Sequence, residues 1–240
     1  MKLKNLLPIH LLLEFADAKR VYINPITRKE SADFIKEHYL GKFPPRITDY
    51  IGIFYEGIEL PLVGVIVYGA GSSPGITLVP SIVRPLNAEE AAKVGKMEGE
   101  LPITEEQLIE LKRLYIRELP SEIRQNLASM SITKANKLME SKYPDKRIML
   151  SYSDPLRHEG TVYKATNAIF LGKGKDYKAF KRKKDDIVMR LSVAKKKWRE
   201  NLKDMGEIVP VIGKEKYIWL LGNNRNRKYI EKFIKKSMSV

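Results

Sequence analysis

Three features of the sequence predict an α/β fold in which a mixed sheet is flanked by helices. Two apolar runs, Tyr50–Tyr55 (YIGIFY) and Leu60–Gly69 (LPLVGVIVYG), are joined across the tight turn Glu56–Gly57, as in an antiparallel hairpin. Farther on, LIELKRLYI (Leu108–Ile116) and RIMLSYS (Arg147–Ser153) enclose one long helical stretch, which makes a crossover unit with parallel pairing. Third, Lys178–Met205 places Ile187, Leu191, Ala194, Trp198, Leu202 and Met205 at helical spacing among lysines, predicting a basic helical addition toward the C-terminus.

The elements follow in order. Residues 1–19 resemble a leader in their apolar run, but Pro8, His10 and Glu14 interrupt it and it is too short to span a bilayer. We read them as an N-terminal extension and expect a cytoplasmic protein without membrane contact. RVYINPI (Arg20–Ile26) suits a first strand, and Thr27 with Glu30 makes a capping box that starts a helix running to about Leu40. Phe34, Ile35, His38 and Tyr39 share one face of that helix. The glycine-rich stretch Gly69–Gly75 lacks the Lys-Ser/Thr of a phosphate loop and reads as a flexible loop. Residues 71–103, rich in proline, form an insertion with a short helix near NAEEAAKV. Arg113, in a central strand, needs a partner, because an unpaired buried charge is costly.

Ser121 is expected to cap a long helix closed by Pro144. RIMLSYS then ends at Asp154-Pro155, since proline removes a donor and turns the chain. His158, Glu159 and Gly160 follow, and a helix from Thr161 carries Tyr163 in its first turn. Ala168–Gly172 and KYIWLLG (Lys216–Gly222) complete the strands of a catalytic domain spanning residues 20–222. Residues 223–240 form a basic tail, in which Tyr229 and Phe233 either stack on bases or pack.

Composition narrows the chemistry. Without cysteine there is no disulfide, thiolate nucleophile or cysteine-type zinc site, and the three histidines are His10, His38 and His158. The net charge of +15 is concentrated: residues 1–172 hold 23 Lys and Arg against 21 Asp and Glu, residues 173–203 hold 13 against 4, and residues 214–240 hold 8 against 2. A near-neutral body with basic C-terminal segments is the footprint of a polyanion partner, most often nucleic acid, the alternative being a solvated lysine-rich surface. Lys181, Arg182, Lys183, Lys184, Lys195, Lys196, Lys197, Arg225, Arg227 and Lys228 are the expected contacts.

Several motifs occur in one order: His38-Tyr39 followed by a glycine, IELKRLYI with Glu110 and Arg113, Asn126-x-x-Ser129, SYSDP through Asp154, and HEGTVYKATNAIFLG from His158 to Gly172. The succession of elements resembles the GNAT acyltransferase fold, with its mixed, mostly antiparallel sheet, and the motifs resemble the phage Mom proteins, which modify adenine in DNA. The resemblance implies transfer of a methylcarbamoyl-type group that protects DNA from restriction. It implies Tyr39, Arg113, Ser129, Asp154 and Tyr163 as catalytic residues, with Arg113 and Ser129 also holding the cofactor. It further implies a bound iron with ligands from His38, Tyr39, Asp154 and Tyr163. The Arg/Gln-x-x-Gly-x-Gly loop by which GNAT enzymes hold the pyrophosphate of acetyl-CoA is replaced by RELPSEIRQN, so the donor is left open. An N-acetyltransferase acting on a protein or small amine, and a non-catalytic nucleic-acid-binding protein, are the alternative expectations.

Overall fold

The structure, a computed structural model, describes residues 20–38, 46–59, 61–71, 78–124, 126–155, 160–184, 188–198 and 201–235. The described elements begin with β1 (Val21–Pro25) and α1 (Arg28–His38), and the predicted capping box closes on both sides. The Thr27 amide donates to Glu30 at 2.7 Å and the Glu30 amide to Thr27 Oγ1 at 3.1 Å. β2 (Ile47–Tyr55) and β3 (Leu62–Gly69) are the expected hairpin, followed in the insertion by α2 (Ala88–Val94). β4 (Leu108–Ile116) leads to α3 (Ser121–Arg124) and α4 (Leu127–Lys142), then to β5 (Ile148–Ser153), α5 (Thr161–Ala165) and β6 (Ile169–Lys173).

The expected continuous helix from Ser121 is broken. Asn126 adopts a left-handed conformation (φ 58°) between α3 and α4, which an asparagine tolerates better than most residues and which ends one helix before the next begins.

The basic helix expected over 178–205 is also corrected. That stretch holds β7 (Tyr177–Arg182), β8 (Val188–Arg190), α6 (Leu191–Trp198) and α7 (Leu202–Met205), and β9 (Gly206–Val211) follows. β7 pairs antiparallel with both β8 and β9, making a three-stranded sheet. Phe180 of β7 and Trp198 of α6 meet at 5.4 Å between ring centroids, so the addition has its own small core. β10 (Glu215–Leu220) and α8 (Asn224–Glu231) end the described chain. The basic tail is therefore helical in part. Tyr229 and Phe233 form an edge-to-face pair at 5.1 Å with Phe233 buried, which decides for packing.

The main sheet has the order β1-β2-β3-β4-β5-β10-β6 and is antiparallel except between β4 and β5. This is the mixed, mostly antiparallel GNAT-like arrangement predicted. One face buries Ile51, Ile66, Ile109, Leu111 and Met149 against Leu127, Ile132 and Met139 of α4. The other buries Val65 and Val67 against Phe34 and Ile35 of α1, and Ile148, Leu150 and Ile218 against the insertion and α8. Each such aliphatic side chain contributes about 1.5–3 kcal/mol on burial, so the two cores fix the strands between them.

Candidate active site at the split between β4 and β5

Among the described residues the one parallel pairing in the main sheet is short. β4 and β5 are in register at Leu108↔Ile148, Ile109↔Met149 and Glu110↔Leu150, after which both strands continue without pairing to each other. Ser151 sits at the first step beyond. Its hydroxyl donates to the Leu111 carbonyl across the gap at 3.0 Å, a side chain standing in for a ladder bond the split has removed.

On its other edge β4 pairs with β3, and the register jumps from Tyr68↔Leu111 to Val67↔Arg113, leaving Lys112 as the extra residue of a bulge. The Lys112 side chain is 2% exposed, yet the residue as a whole is half-buried, so what solvent reaches there is main chain. Its ammonium lies 3.6 Å from the buried Glu110 carboxylate. Beyond Glu110 the β5-facing side of β4 is not covered by a ladder with β5.

The expected site residues distribute around this split. Arg113 is directly across from Val67 and so emerges on the α1 face of the sheet. Tyr163 is on the opposite face, where its ring stacks on Tyr217 at 4.7 Å and lies 5.7 Å from Trp219. Its hydroxyl donates to the Tyr152 carbonyl at 3.2 Å and lies 3.3 Å from Ser151 Oγ. Burial raises the Tyr163 hydroxyl above the ordinary tyrosine range, partly offset by Ser151, so it is protonated at neutral pH. Asp154 follows β5 immediately and is half-buried. Ser129 is in the first turn of α4 with its hydroxyl given to the Asn126 carbonyl at 2.9 Å, so its side chain shapes the helix start. The structure thus brings Arg113, Asp154 and Tyr163 to one split, Arg113 and Tyr163 from opposite faces. Tyr39, His158 and the side chain of His38 lie outside the described residues.

Sequence reasoning missed the residues that support Tyr163. Tyr217, buried on β10, donates its hydroxyl to Glu215 Oε2 at 2.7 Å, and burial first, then Glu215, push its titration up. Trp219 Nε1 donates to the carbonyl and hydroxyl of Thr166, both at 3.1 Å, tying the end of α5 to the sheet. Gly160, at φ 68°, lies so close to Tyr217 that a Cβ there would collide with the phenol oxygen. The signal was present as the alternation of Glu215, Tyr217 and Trp219 on one strand face, but their partners are about fifty residues away in sequence.

Of the four proposed iron ligands, Asp154 and Tyr163 are described, while Tyr39 and the His38 side chain lie outside the described residues. No group of three His, Asp or Glu able to hold a metal is found among the described residues. An acyl donor of the coenzyme A type fits in one part and not another. The bulge at Lys112 lies beside the split, while the segment after β4 holds the short helix α3, Ser121–Arg124, in place of a glycine-rich loop.

The basic residues separate into groups. Lys183, Lys184, Lys195, Lys196 and Lys197 are exposed on the small sheet and α6, with Lys197 and Arg182 lying 5.1 Å and 6.0 Å from the Trp198 ring centroid. Lys181 is half-buried, opposite Glu207. On α8, Arg225 and Lys228 are exposed, whereas Arg227 pairs with Glu140 at 2.9 Å and fastens α8 to α4.

The Mom protein family matches residues 20–236. The chain is a member of the Mom protein family. Within this Mom-family chain the match takes in the split, α5, the small sheet and α8, so the addition is part of the family's extent. No match is found among curated proteins. Solved structures similar to it include Arabidopsis thaliana NAA60 in complex with acetyl-CoA, at 10% identity and a TM-score of 0.44, over 83% of this chain and 98% of that one. The Vibrio cholerae spermidine/spermine N-acetyltransferase SpeG, in complex with manganese ions, matches at 8% identity and a TM-score of 0.43, over 90% and 98%. The aminoglycoside acetyltransferase AAC(6')-Ib with coenzyme A matches at 8% identity and a TM-score of 0.43, over 88% and 99%. Among the described residues of the Mom-family chain no helix is long and apolar enough to cross a membrane.

Proposed function

We propose that the protein transfers a small acyl-type group, of the methylcarbamoyl kind, to the exocyclic amine of adenine in double-stranded DNA, and so shields that DNA from restriction. The observation that carries the reading is Tyr163, a phenol kept protonated by burial, with its hydroxyl where β4 and β5 part. Membership of the Mom family supports the choice of DNA over other amines.

Acyl transfer to an amine requires that the leaving atom gain a proton and the amine lose one. Tyr163 Oη holds a proton that it can deliver to the leaving atom. Asp154, at the end of β5, takes the proton from the amine. Arg113, from the other side of the split, stabilises negative charge developing on the carbonyl oxygen. A bound acyl donor would supply the activated carbonyl, with the β4 main chain near Lys112 and the first turn of α4 at Ser129 holding it. Because the amine is inaccessible within a stacked duplex, the adenine must be turned out of the helix, and the exposed lysines of the small sheet and α6 hold the duplex while this happens.

The test is co-expression with a plasmid, digestion of the plasmid to nucleosides and mass spectrometry. Wild type yields a deoxyadenosine of increased mass, and Asp154→Ala and Tyr163→Phe do not. Unmodified nucleosides from the wild-type culture would end this reading.

A further inference from the structure

Lys216 and Lys235 are brought together by one turn, on the sheet face opposite Tyr163. Lys216 is on β10 directly across from Tyr152 of β5, and its ammonium reaches Ser81 Oγ at 3.0 Å. Lys235 follows α8, and its ammonium reaches the carbonyl of Pro80 at 2.6 Å. Two cations are thus fastened to consecutive residues of the single turn Val79–Ser81.

The surroundings hold them there. Ser81 Oγ donates to the Leu78 carbonyl at 2.7 Å, which leaves a lone pair for Lys216. Val83 bridges to Ile234, the Lys235 amide donates to the Ile82 carbonyl at 2.8 Å, and the Arg84 amide donates to the Phe233 carbonyl at 2.9 Å, locking the C-terminal segment against the turn. Glu105 accepts from the Val79 amide at 2.7 Å, which commits the carboxylate bonded to this turn. Among the described residues no carboxylate pairs with Lys216 or Lys235. An ammonium has three donors, so each lysine has donors left for a ligand. Like charges held this near each other oppose folding unless an anion joins them. Burial, then the charge of Lys235, lowers the Lys216 ammonium below its ordinary range.

We propose that Lys216 and Lys235, held on the Pro80–Ser81 turn, form a phosphate-binding subsite one strand away from the split. Arg113 lies on the same side of the sheet, so a phosphate seated here is next to whatever occupies the cleft. Its source is either the backbone of the DNA, an assignment that rests on the reading above, or the diphosphate of a nucleotide-containing donor. The second source would supply the contacts that the missing glycine loop does not.

Two binding assays on the full chain separate these sources, using Lys216→Met, which keeps the aliphatic stem, and Lys235→Gln. For a short DNA duplex over a salt series, a backbone contact predicts a log K against log salt slope shallower by about 0.9 for each lysine removed. In thermal unfolding with inorganic pyrophosphate, a donor subsite predicts that the ligand raises Tm for wild type and not for either variant. A changed slope alone assigns the phosphate to DNA, a pyrophosphate response alone assigns it to the donor, and both together mean that the two share it. If neither variant changes either readout, the proposal is overturned. Without ligand, removal of one of two neighbouring cations leaves Tm at or above wild type. Lys235 is exposed, so its variant still decides the matter if Lys216→Met does not fold. Both assays read binding, so a protein that modifies no nucleoside can still pass or fail here.

Discussion

In the main sheet Ser151, Tyr163 and Tyr217 are held away from bulk water with their hydroxyls paired, and Tyr163 is stacked within a cluster of aromatic rings. In the three-stranded sheet the arrangement is reversed: Phe180 and Trp198 fill a small interior, and Lys183, Lys184, Lys195, Lys196 and Lys197 extend into water. Polar groups fixed inside a low-dielectric core act singly and depend on tenths of an ångström. Charges in water act together and tolerate displacement, because screening leaves only their sum. Chemistry therefore belongs to the first region and polyanion attraction to the second, and substitutions in each should fail in different ways.

The largest effect is expected from Tyr163→Phe. It removes the proton at the split and should lower adenine modification by about 10²–10⁴-fold. Binding of a DNA duplex should be unchanged, as measured by fluorescence anisotropy. A parallel loss of binding would mean that the two regions are not separate. The second effect comes from replacing Lys195, Lys196 and Lys197 with Ala. Modification at low salt should persist, while the slope of log K against log salt becomes shallower by up to about 2.7. That is on the order of a hundredfold in affinity near physiological salt. An unchanged slope would move the DNA surface elsewhere, with Arg225 and Lys228 next in line.

The two regions were also unequally legible. β4 was read from Leu108 to Ile116, and the Thr27–Glu30 cap and the β2–β3 hairpin were found, because period, cap and turn are local signals. The small sheet was missed for the converse reason. Its strands pair residues far apart in sequence, such as Lys178 with Pro210, while Leu191, Ala194 and Trp198 carry a helical period that holds only within α6. Gly206, whose Cβ would strike the Lys181 carbonyl, marked the strand edge that the stripe obscured. Arg113, Asp154 and Tyr163 were legible as motif residues. Glu215 and Tyr217 were not, since their roles come from Tyr163 and Gly160, on another element.

A third, smaller effect separates scaffold from site. Burial alone would raise the Asp49 carboxyl, but Lys142, Thr48 and Tyr143 hold it below the ordinary range, with Tyr143 donating at 2.8 Å. A carboxyl depressed in the folded state stabilises it above the unfolded value of about 3.9, and the contribution is lost as pH falls through the lower folded value. Asp49→Asn should therefore cost about 1 kcal/mol at neutral pH and leave less to lose in acid, seen as a flatter dependence of Tm on pH below about 4. Nucleoside modification at neutral pH, measured below the new Tm, should be retained.

The smallest effect tests whether the support for Tyr163 is geometric or merely structural. Tyr217→Phe keeps the ring that stacks on Tyr163 and removes the hydroxyl that Glu215 accepts, at a cost of about 1 kcal/mol in stability. If Tyr217 and Glu215 only hold the sheet together, modification should follow the folded fraction and its pH profile should not move. If they set the environment of Tyr163, the alkaline limb of the pH profile should shift, because the Glu215 charge would no longer be tied to a phenol proton beneath the Tyr163 ring. Glu215→Gln, which retains an acceptor but no charge, should then shift the limb toward lower pH, because a nearby negative charge holds the phenol proton on, or leave it fixed if only the hydrogen bond matters. A Tyr217→Phe profile identical to wild type after correction for stability would confine the functional polar network to Ser151, Tyr152 and Tyr163.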